Sequence, residues 1–378
     1  MSAVSLSDFG LVSALGCGKE ETLKNLLLGR RENMKEISLA GGEISFFGFT
    51  PLSPEVFAAA PTRVAALLDA AARELNWDAL YAEVDPRKVG AVVGTSNSTM
   101  EEFTENPDTI DMAYPAERLR EVWGVRGPAY SVSTACSSSA KAFMSARRLL
   151  EEGICDAVIV GGADAKTRTV IEGFHALESL AAGHTKPLSD ARDGINLGEG
   201  AALFVMRRLG ESRTKKDDIF LLGVGESSDA YHLTAPDPEG RGAERAMRLA
   251  LEDASLNPGD IDYVNLHGTG TRYNDAMECA AVRRVFGSRV PVSSTKPLTG
   301  HCLGAAGAIE AALSALVLQH GRGLPPHVID AEVDRALAPF PIPRVGDETP
   351  VRTILSNAFA FGGSNASLIL SRARKGDA

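Results

Sequence analysis

The stretch that decides the fold is Ser133-Thr134-Ala135-Cys136-Ser137-Ser138-Ser139, which is followed by a helical run at residues 140–152. Apolar residues recur in that run at three- and four-residue spacing, and Gly153 is a natural helix stop. Residues 129–133 before it read as a short strand. Cys136 therefore lies where a strand turns into a helix, beside unpaired N–H groups that favour a thiolate or an oxyanion. A lone cysteine is more often structural, so this stretch by itself leaves both roles open.

Three further stretches carry residues suited to chemistry. NLHGTGT (265–271) follows an apolar run, STKPLTGH (294–301) precedes a Gly/Ala-rich helix, and NAFAFGGSN (357–365) lies near the end of the chain. Together with the cysteine stretch, they closely resemble the motifs of the β-ketoacyl-acyl carrier protein synthases, in the same order. The match is to the branch with a Cys–His–His site, and it runs from residue 10 to residue 370. The resemblance implies an α/β, thiolase-like fold of two similar halves in a five-layered αβαβα arrangement.

The pattern of strands and helices agrees with two halves. Strand-like and helix-like segments alternate, which calls for parallel sheets covered by helices. A charged segment at residues 207–218 interrupts this alternation, and the pattern then restarts. We therefore expect an N-terminal half, 1–218, that carries the cysteine, and a C-terminal half, 219–378, that carries the two histidines.

Composition sets the broad class. The chain has 378 residues, 44% hydrophobic and 23% charged, as is ordinary for a globular protein. We expect no signal peptide and no apolar run near the ~18 residues of a membrane span. Five cysteines without a regular framework are typical of a reducing, cytoplasmic setting. A net charge of −10 argues against nucleic acid as a partner. Neither nucleic acid nor a membrane is therefore an expected partner.

The resemblance assigns the chemistry to three side chains. Cys136 would accept an acyl group as a thioester from the phosphopantetheine arm of an acyl carrier protein. His267 and His301 would donate hydrogen bonds to the malonyl thioester oxygen as decarboxylation builds negative charge there. Both histidines follow strand-like segments and adjoin glycine, where an α/β sheet presents ligands. Neither has Cys, Asp or Glu beside it at metal-ligand spacing, so we expect no metal and no nucleotide cofactor.

Three more residues belong to the family pattern: Lys296, which joins the catalytic set, Glu278 and Phe361. Lys296 and Glu278 match a conserved pair, and a lysine in a closed site needs a carboxylate or loses its proton. We therefore expect an ion pair between them. The backbone N–H groups of Cys136 and Phe361 would form the oxyanion hole. Phe361, followed by two glycines, would also act as a gate.

Substrate contacts follow from the same resemblance. Thr269 and Thr271 match positions that touch the pantetheine arm, whose amides suit hydroxyl partners. Phe174 and Phe359 would contact the substrate, although Phe359 is equally suited to the core. The implied partners are an acyl carrier protein and a second subunit, in a homodimer or in a heterodimer with a chain-length partner. Because carrier proteins are acidic, docking on this acidic chain needs a local basic patch.

Other functions stay open beside an elongating synthase. A non-catalytic chain-length partner would resemble a synthase but usually lacks the nucleophile. A thiolase would carry a second catalytic cysteine near the C-terminus, and residues 357–365 contain none. A priming Cys–His–Asn synthase is disfavoured by His301.

Two segments, 95–130 and 177–187, look short beside the usual elongating synthases. In relatives, the first segment contributes to the dimer contact and the acyl pocket, and the second is a loop near the pocket mouth. Both shortenings therefore affect substrate specificity rather than the chemistry. Compact synthases of this kind resemble those of specialised polyene or type II polyketide-like pathways. Fatty-acid, polyene and polyketide-like biosynthesis therefore all remain possible settings.

Overall fold

The computed structural model describes residues 4–100, 110–208 and 218–372. Its strands are β1 (Val4–Ser13), β2 (Gly16–Cys17), β3 (Met34–Ser38), β4 (Ile44–Gly48), β5 (Val89–Gly94), β6 (Ala129–Val132), β7 (Ala157–Asp164), β8 (Leu197–Gly198), β9 (Gly200–Arg208), β10 (Phe220–Ser228), β11 (Tyr263–Asn265), β12 (Val292–Ser293), β13 (Thr353–Ala360) and β14 (Ser364–Ser371). Its helices are α1 (Lys19–Leu27), α2 (Pro54–Ala59), α3 (Arg63–Ala72), α4 (Trp77–Glu83), α5 (Tyr114–Trp123), α6 (Ser138–Glu151), α7 (Arg168–Ala176), α8 (Arg241–Ala254), α9 (Arg272–Phe286), α10 (Lys296–Thr299) and α11 (Ala306–His320).

The two halves contain sheets with the same strand order. The N-terminal sheet runs β6-β5-β7-β9-β1 and the C-terminal sheet runs β12-β11-β13-β14-β10. In each sheet the fourth strand of this order, β9 or β14, is antiparallel to both of its neighbours. The sheets join where β1 pairs with β10. Two similar α/β halves are therefore confirmed. The boundary at 218/219 stays a prediction, because most of the charged segment 207–218 lies outside the described residues.

Helices arrange these sheets into five layers. α6 and α11 lie between the sheets, and α11 contacts strands of both halves. α3 covers the outer face of the N-terminal sheet, and α8 and α9 cover the C-terminal sheet. The largest buried cluster of apolar side chains fills the central layer. Elements of both halves therefore meet at the centre of the molecule.

The central position of α11 explains its composition. The stretch Leu303–His320 is long and apolar enough to cross a membrane, with a mean hydropathy of 1.3. The expectation that no run approaches this length is therefore wrong. However, 89% of the stretch is buried inside the fold, because a helix between two sheets must be apolar on all sides. We read it as a core helix.

A close contact between β5 and α6 positions the cysteine turn. A Cβ atom added at Gly94 would lie only 2.2 Å from the backbone nitrogen of Ser139 in the first turn of α6. The backbone at Ser139 cannot move aside to relieve this clash, as the end of a flexible side chain could. Glycine at the end of β5 thus allows the helix to approach the strand.

We predict that Gly94→Ala lowers the free energy of unfolding by about 1–3 kcal/mol, the range for overpacking a core. Condensing activity should fall as well, because the first turn of α6 is displaced. Denaturant unfolding measures the first effect. Gly259→Ala is the matched control, since nothing lies within 4 Å of its added Cβ. Equal stability of the two variants would contradict this account.

Candidate active site

Hydroxyl groups hold the turn that presents Cys136. Ser138 Oγ accepts a hydrogen bond from the Thr134 N–H and donates to the Ala135 carbonyl, at 2.9 and 2.5 Å. Ser137 Oγ lies 2.8 Å from the Thr134 carbonyl oxygen. Ala135 has a φ of 52°, which is unusual for a residue with a side chain. The run of small polar residues therefore fixes a sharp turn immediately before α6.

The turn brings Cys136 against the two predicted histidines. Cys136 Sγ lies 3.0 Å from His301 Nε2. The rings of His267 and His301 are nearly perpendicular, with centroids 5.2 Å apart. All three side chains are buried. His267 follows β11 and His301 follows α10, so the C-terminal half supplies both imidazoles to a cysteine of the N-terminal half.

Burial and one nearby cation set the protonation states. Burial raises the pKa of Cys136 to about 11, although the positive charge of Lys296 acts in the opposite direction. Burial and the same lysine hold the pKa values of His267 and His301 well below the usual histidine range. The resting site is therefore a neutral thiol beside two neutral imidazoles.

Two backbone N–H groups face the cysteine sulfur, those of Cys136 itself and of Phe361. The Phe361 amide stands at the end of β13, before Gly362 and Gly363, whose φ angles are 79° and 74°. Gly362 donates its N–H to the Leu233 carbonyl at 2.7 Å. A pair of convergent N–H donors beside the nucleophile has the form of an oxyanion hole.

A cavity of about 110 Å³ leads to the cysteine. The four predicted substrate contacts, Thr269, Thr271, Phe174 and Phe359, all line it. The Oγ1 atoms of the two threonines are 3.1 Å apart. Phe174 packs beside Phe361, with ring centroids separated by 5.8 Å. The structure thus gathers every predicted contact residue around one entry to Cys136.

The predicted ion pair of Lys296 with Glu278 is wrong. Lys296 Nζ pairs with Glu310 on α11, and both side chains are buried. Glu278 instead accepts backbone N–H bonds from His267 and Gly268, both at 2.8 Å. It therefore holds the histidine loop. The sequence carries a signal for Glu310, because a single glutamate inside the apolar run AAGAIEAALSALVL requires a buried partner.

Asp164 and Asp275 are further organising residues that sequence reasoning missed. Asp164, at the end of β7, accepts from Thr95 Oγ1 at 2.6 Å and from the Ala305 N–H at 3.1 Å. It thereby ties β5 to the start of α11. Asp275 accepts the Gly270 N–H at 3.1 Å and fixes the loop that carries both threonines. No local motif marks Asp164, because its partners are far away in the sequence. Asp275 accepts from the nearby Gly270 N–H but also from the distant Leu188 N–H at 2.9 Å, and no motif marks that pairing.

Comparison with known proteins agrees with this geometry. The Beta-ketoacyl synthase N-terminal domain model matches residues 10–212, and the C-terminal domain model matches residues 220–329. The chain belongs to the β-ketoacyl synthase family. It is 33% identical to the 3-oxoacyl-[acyl-carrier-protein] synthase 2 of Rhizobium meliloti, over 98% of this chain and 99% of that one.

Solved structures of the same family superpose closely on this synthase. One is the ketosynthase ApeO in complex with its chain length factor ApeC from Xenorhabdus doucetiae. It matches with a TM-score of 0.89 and 37% identity, covering 98% of both chains. Another is the ishigamide ketosynthase/chain length factor, with a TM-score of 0.86 and 29% identity over 98% of this chain and 99% of that one. The thiolase-like fold class is therefore confirmed.

The synthase site also contains atoms that could bind a metal. One donor atom each from Cys136, His267 and His301 lie within 4.8 Å of one another. However, the Nδ1 atoms of both histidines are buried and have no partner in the described part of the chain. Metal-binding histidines normally donate their second ring nitrogen to an acceptor. The surroundings of this trio therefore suit a metal ion poorly.

The neutral thiol of this synthase gives a pH prediction. The fraction of thiolate rises tenfold per pH unit below the pKa, and that pKa is about 11. The rate of Cys136 alkylation by iodoacetamide should therefore rise steadily from pH 7 to pH 9, as followed by peptide mass spectrometry. A plateau below pH 8 would instead reveal a thiolate–imidazolium pair with His301.

Proposed function

We propose that this synthase elongates acyl chains by decarboxylative Claisen condensation with malonyl-acyl carrier protein. The observation that carries the proposal is the buried trio of one cysteine and two neutral histidines beside two convergent N–H donors. That trio can hold a thioester and also stabilise an enolate. The phosphopantetheine arm serves as substrate carrier, and we propose no resident metal or other cofactor.

The first half-reaction loads the enzyme. Cys136 Sγ attacks the acyl thioester while its proton passes to His301 Nε2, 3.0 Å away. The tetrahedral oxyanion lies between the N–H groups of Cys136 and Phe361. The carbon–sulfur bond to the carrier then breaks, and the departing pantetheine thiolate takes the proton. This exchange of one thioester for another leaves an acyl-cysteine.

The second half-reaction forms the carbon–carbon bond. The malonyl carboxylate leaves as carbon dioxide, and its electron pair becomes an enolate on the carrier thioester. His267 and His301 donate hydrogen bonds to the enolate oxygen, and their low pKa values keep both rings neutral. His301, whose Nε2 accepts the Cys136 proton during loading, donates here in the tautomer that carries its proton on Nε2. The enolate carbon attacks the acyl carbonyl, and the bond to Cys136 Sγ breaks. The β-ketoacyl product remains on the carrier, and the Cys136 thiolate takes up one proton from solvent.

The rival functions fit this geometry less well. A chain-length partner has no need of a cysteine held 3.0 Å from a histidine nitrogen. A thiolase would need a second catalytic cysteine in the pocket, yet Cys136 is the only cysteine among the described residues that line it. The condensing role therefore explains more of the observed arrangement.

We also propose a partner protein, a type of pathway and a cellular location for this reaction. The family models and the 3-oxoacyl-[acyl-carrier-protein] synthase relative support an acyl carrier protein as partner. Similarity to structures that contain a ketosynthase and its chain length factor supports a synthase that works with such a partner, and for it we propose specialised polyene or type II polyketide-like synthesis. Five free cysteines support a reducing, cytoplasmic location.

A dimer is also proposed. β6 ends the N-terminal sheet, and its Tyr130 side chain is 37% exposed. An uncovered strand edge is a liability that a second subunit would remove. Similarity to two ketosynthases that are solved with chain length factors favours a heterodimer over a homodimer. We propose that residues 100–123 contribute to the dimer interface and help to set acyl length; residues 101–109 of this segment lie outside the described residues.

Intact mass spectrometry tests the loading step. The synthase, incubated with a panel of acyl-carrier proteins, should gain the mass of one acyl group at Cys136. Cys136→Ala should gain none and should keep the parental unfolding curve, because the side chain is small and its role is covalent. Acylation of the Cys136→Ala variant would contradict the assignment of the nucleophile.

Release of carbon dioxide from malonyl-acyl carrier protein tests the second step. His267→Ala and His301→Ala should each slow it by about a hundredfold or more, as loss of an oxyanion donor does. The exposed His320 at the end of α11 serves as control, because it lies outside the cavity lining. A parental rate in either active-site variant would remove that histidine from the mechanism.

A further inference from the structure

A third histidine, His327, lies outside the cavity lining and bridges two loops. Its Nε2 atom is 3.0 Å from the Pro187 carbonyl oxygen, and its Nδ1 atom is 3.2 Å from the backbone nitrogen of Ser294. A carbonyl oxygen can only accept a hydrogen bond, and a backbone N–H can only donate one. The ring therefore carries its proton on Nε2, and its Nδ1 atom accepts the hydrogen bond from Ser294.

The two hydrogen bonds of His327 require an uncharged ring. A protonated imidazole has donors at both nitrogens, so the Ser294 N–H would lose its acceptor. Burial lowers the pKa of His327 to about 4, although the bond to the Pro187 carbonyl acts in the opposite direction. At physiological pH the ring is therefore neutral, in the one tautomer that satisfies both partners.

Ser294, which His327 holds, contacts two parts of the active site. Its hydroxyl donates to the Gly268 carbonyl at 2.7 Å and accepts the Lys296 N–H at 3.3 Å. Gly268 directly follows His267 in the chain. Ser294 is fully buried, so water does not compete for these bonds. The serine therefore joins the His267 loop to the lysine whose charge acts on both catalytic histidines.

Close packing at Gly268 strengthens this connection. Gly268 has a φ of 40°, and a Cβ atom added there would lie 2.6 Å from the Cβ atom of Ser294. The two residues therefore approach more closely than a side chain at position 268 would allow. A displacement of Ser294 would pass directly to Gly268 and to the neighbouring His267.

Two sets of contacts hold the His267 loop. Glu278 accepts the N–H groups of His267 and Gly268 and so holds the loop against α9. Ser294 instead holds the loop against the segment that carries Lys296. The placement of His267 relative to Lys296 therefore depends on Ser294 as well as on Glu278.

We propose that His327 is a positioning residue that, through Ser294, holds His267 in place for decarboxylation. This rests on the proposed function, which assigns His267 as a donor to the enolate oxygen. His327 does not line the cavity and takes no direct part in the chemistry. It acts because a misplacement of about 1 Å at a reacting group can lower a rate by about a hundredfold.

Two substitutions separate the two bonds of the ring. The amide oxygen of His327→Asn can replace Nδ1 as acceptor for Ser294, whereas the amide nitrogen of His327→Gln can replace Nε2 as donor to Pro187. His327→Asn should keep carbon dioxide release from malonyl-acyl carrier protein within about threefold of the parental rate, and His327→Gln should slow it about tenfold or more. Acyl loading of Cys136, which does not use His267, should stay at the parental rate in both variants.

A third variant tests the connection from the other end. Ser294→Ala keeps the N–H that bonds to His327 but removes the hydroxyl that bonds to Gly268 and Lys296. It should slow carbon dioxide release by about tenfold, as His327→Gln does. His320→Gln, at the exposed end of α11, is the matched control and should keep the parental rate. Parental release by folded His327→Gln or Ser294→Ala, or slower release by His327→Asn than by His327→Gln, would overturn the proposal.

A spectroscopic measurement keeps this inference distinguishable from the proposed function. NMR spectra of protein with ¹³C-labelled histidine rings should show shifted His267 signals in His327→Gln and Ser294→Ala but not in His327→Asn, whether or not turnover occurs. A parental chain that releases no carbon dioxide, although its variants show these shifts, would contradict the proposed function alone. Unchanged His267 signals in His327→Gln and Ser294→Ala, in a chain that does release carbon dioxide, would contradict the positioning role alone.

Discussion

A buried ion pair between Lys296 and Glu310 sets the electrostatics on which the site depends. Both side chains are almost completely removed from water, where an unpaired charge would be very costly. Burial is the main cause of the low pKa values of His267 and His301 and of the raised Cys136 pKa; the lysine charge adds to the first effect and opposes the second. The positive charge of Lys296 therefore favours neutral imidazoles at His267 and His301, and it also stabilises negative charge that develops beside them at Cys136.

The five-layered fold explains how this pair reaches the nucleophile. Glu310 lies on α11 in the central layer, whereas Cys136 precedes α6 in that layer and comes from the other half. Asp164, at the end of β7, joins the loop after β5 to the residue before α11. Neither half contains the complete site. The chemistry exists only where the two halves pack together.

Much of this could be predicted from the sequence. The strand-to-helix turn at Cys136 and the strand that ends before His267 are local patterns. The Lys296 partner was misassigned, because Glu278 and Glu310 are both buried carboxylates near the histidines. Only the packing of α11 decides between them. Local periodicity also could not give the stacking of two sheets around α6 and α11, which depends on contacts between distant segments.

Replacing the buried pair is the most direct test of this account. The double variant Lys296→Met/Glu310→Leu exchanges both charges for apolar groups of similar size, a change that often preserves stability. The rate of β-ketoacyl product formation from acyl- and malonyl-acyl carrier proteins is then measured on protein with a parental unfolding transition. We predict loss of condensation in a folded enzyme. Condensation at the parental rate would show that the buried cation does not govern the chemistry.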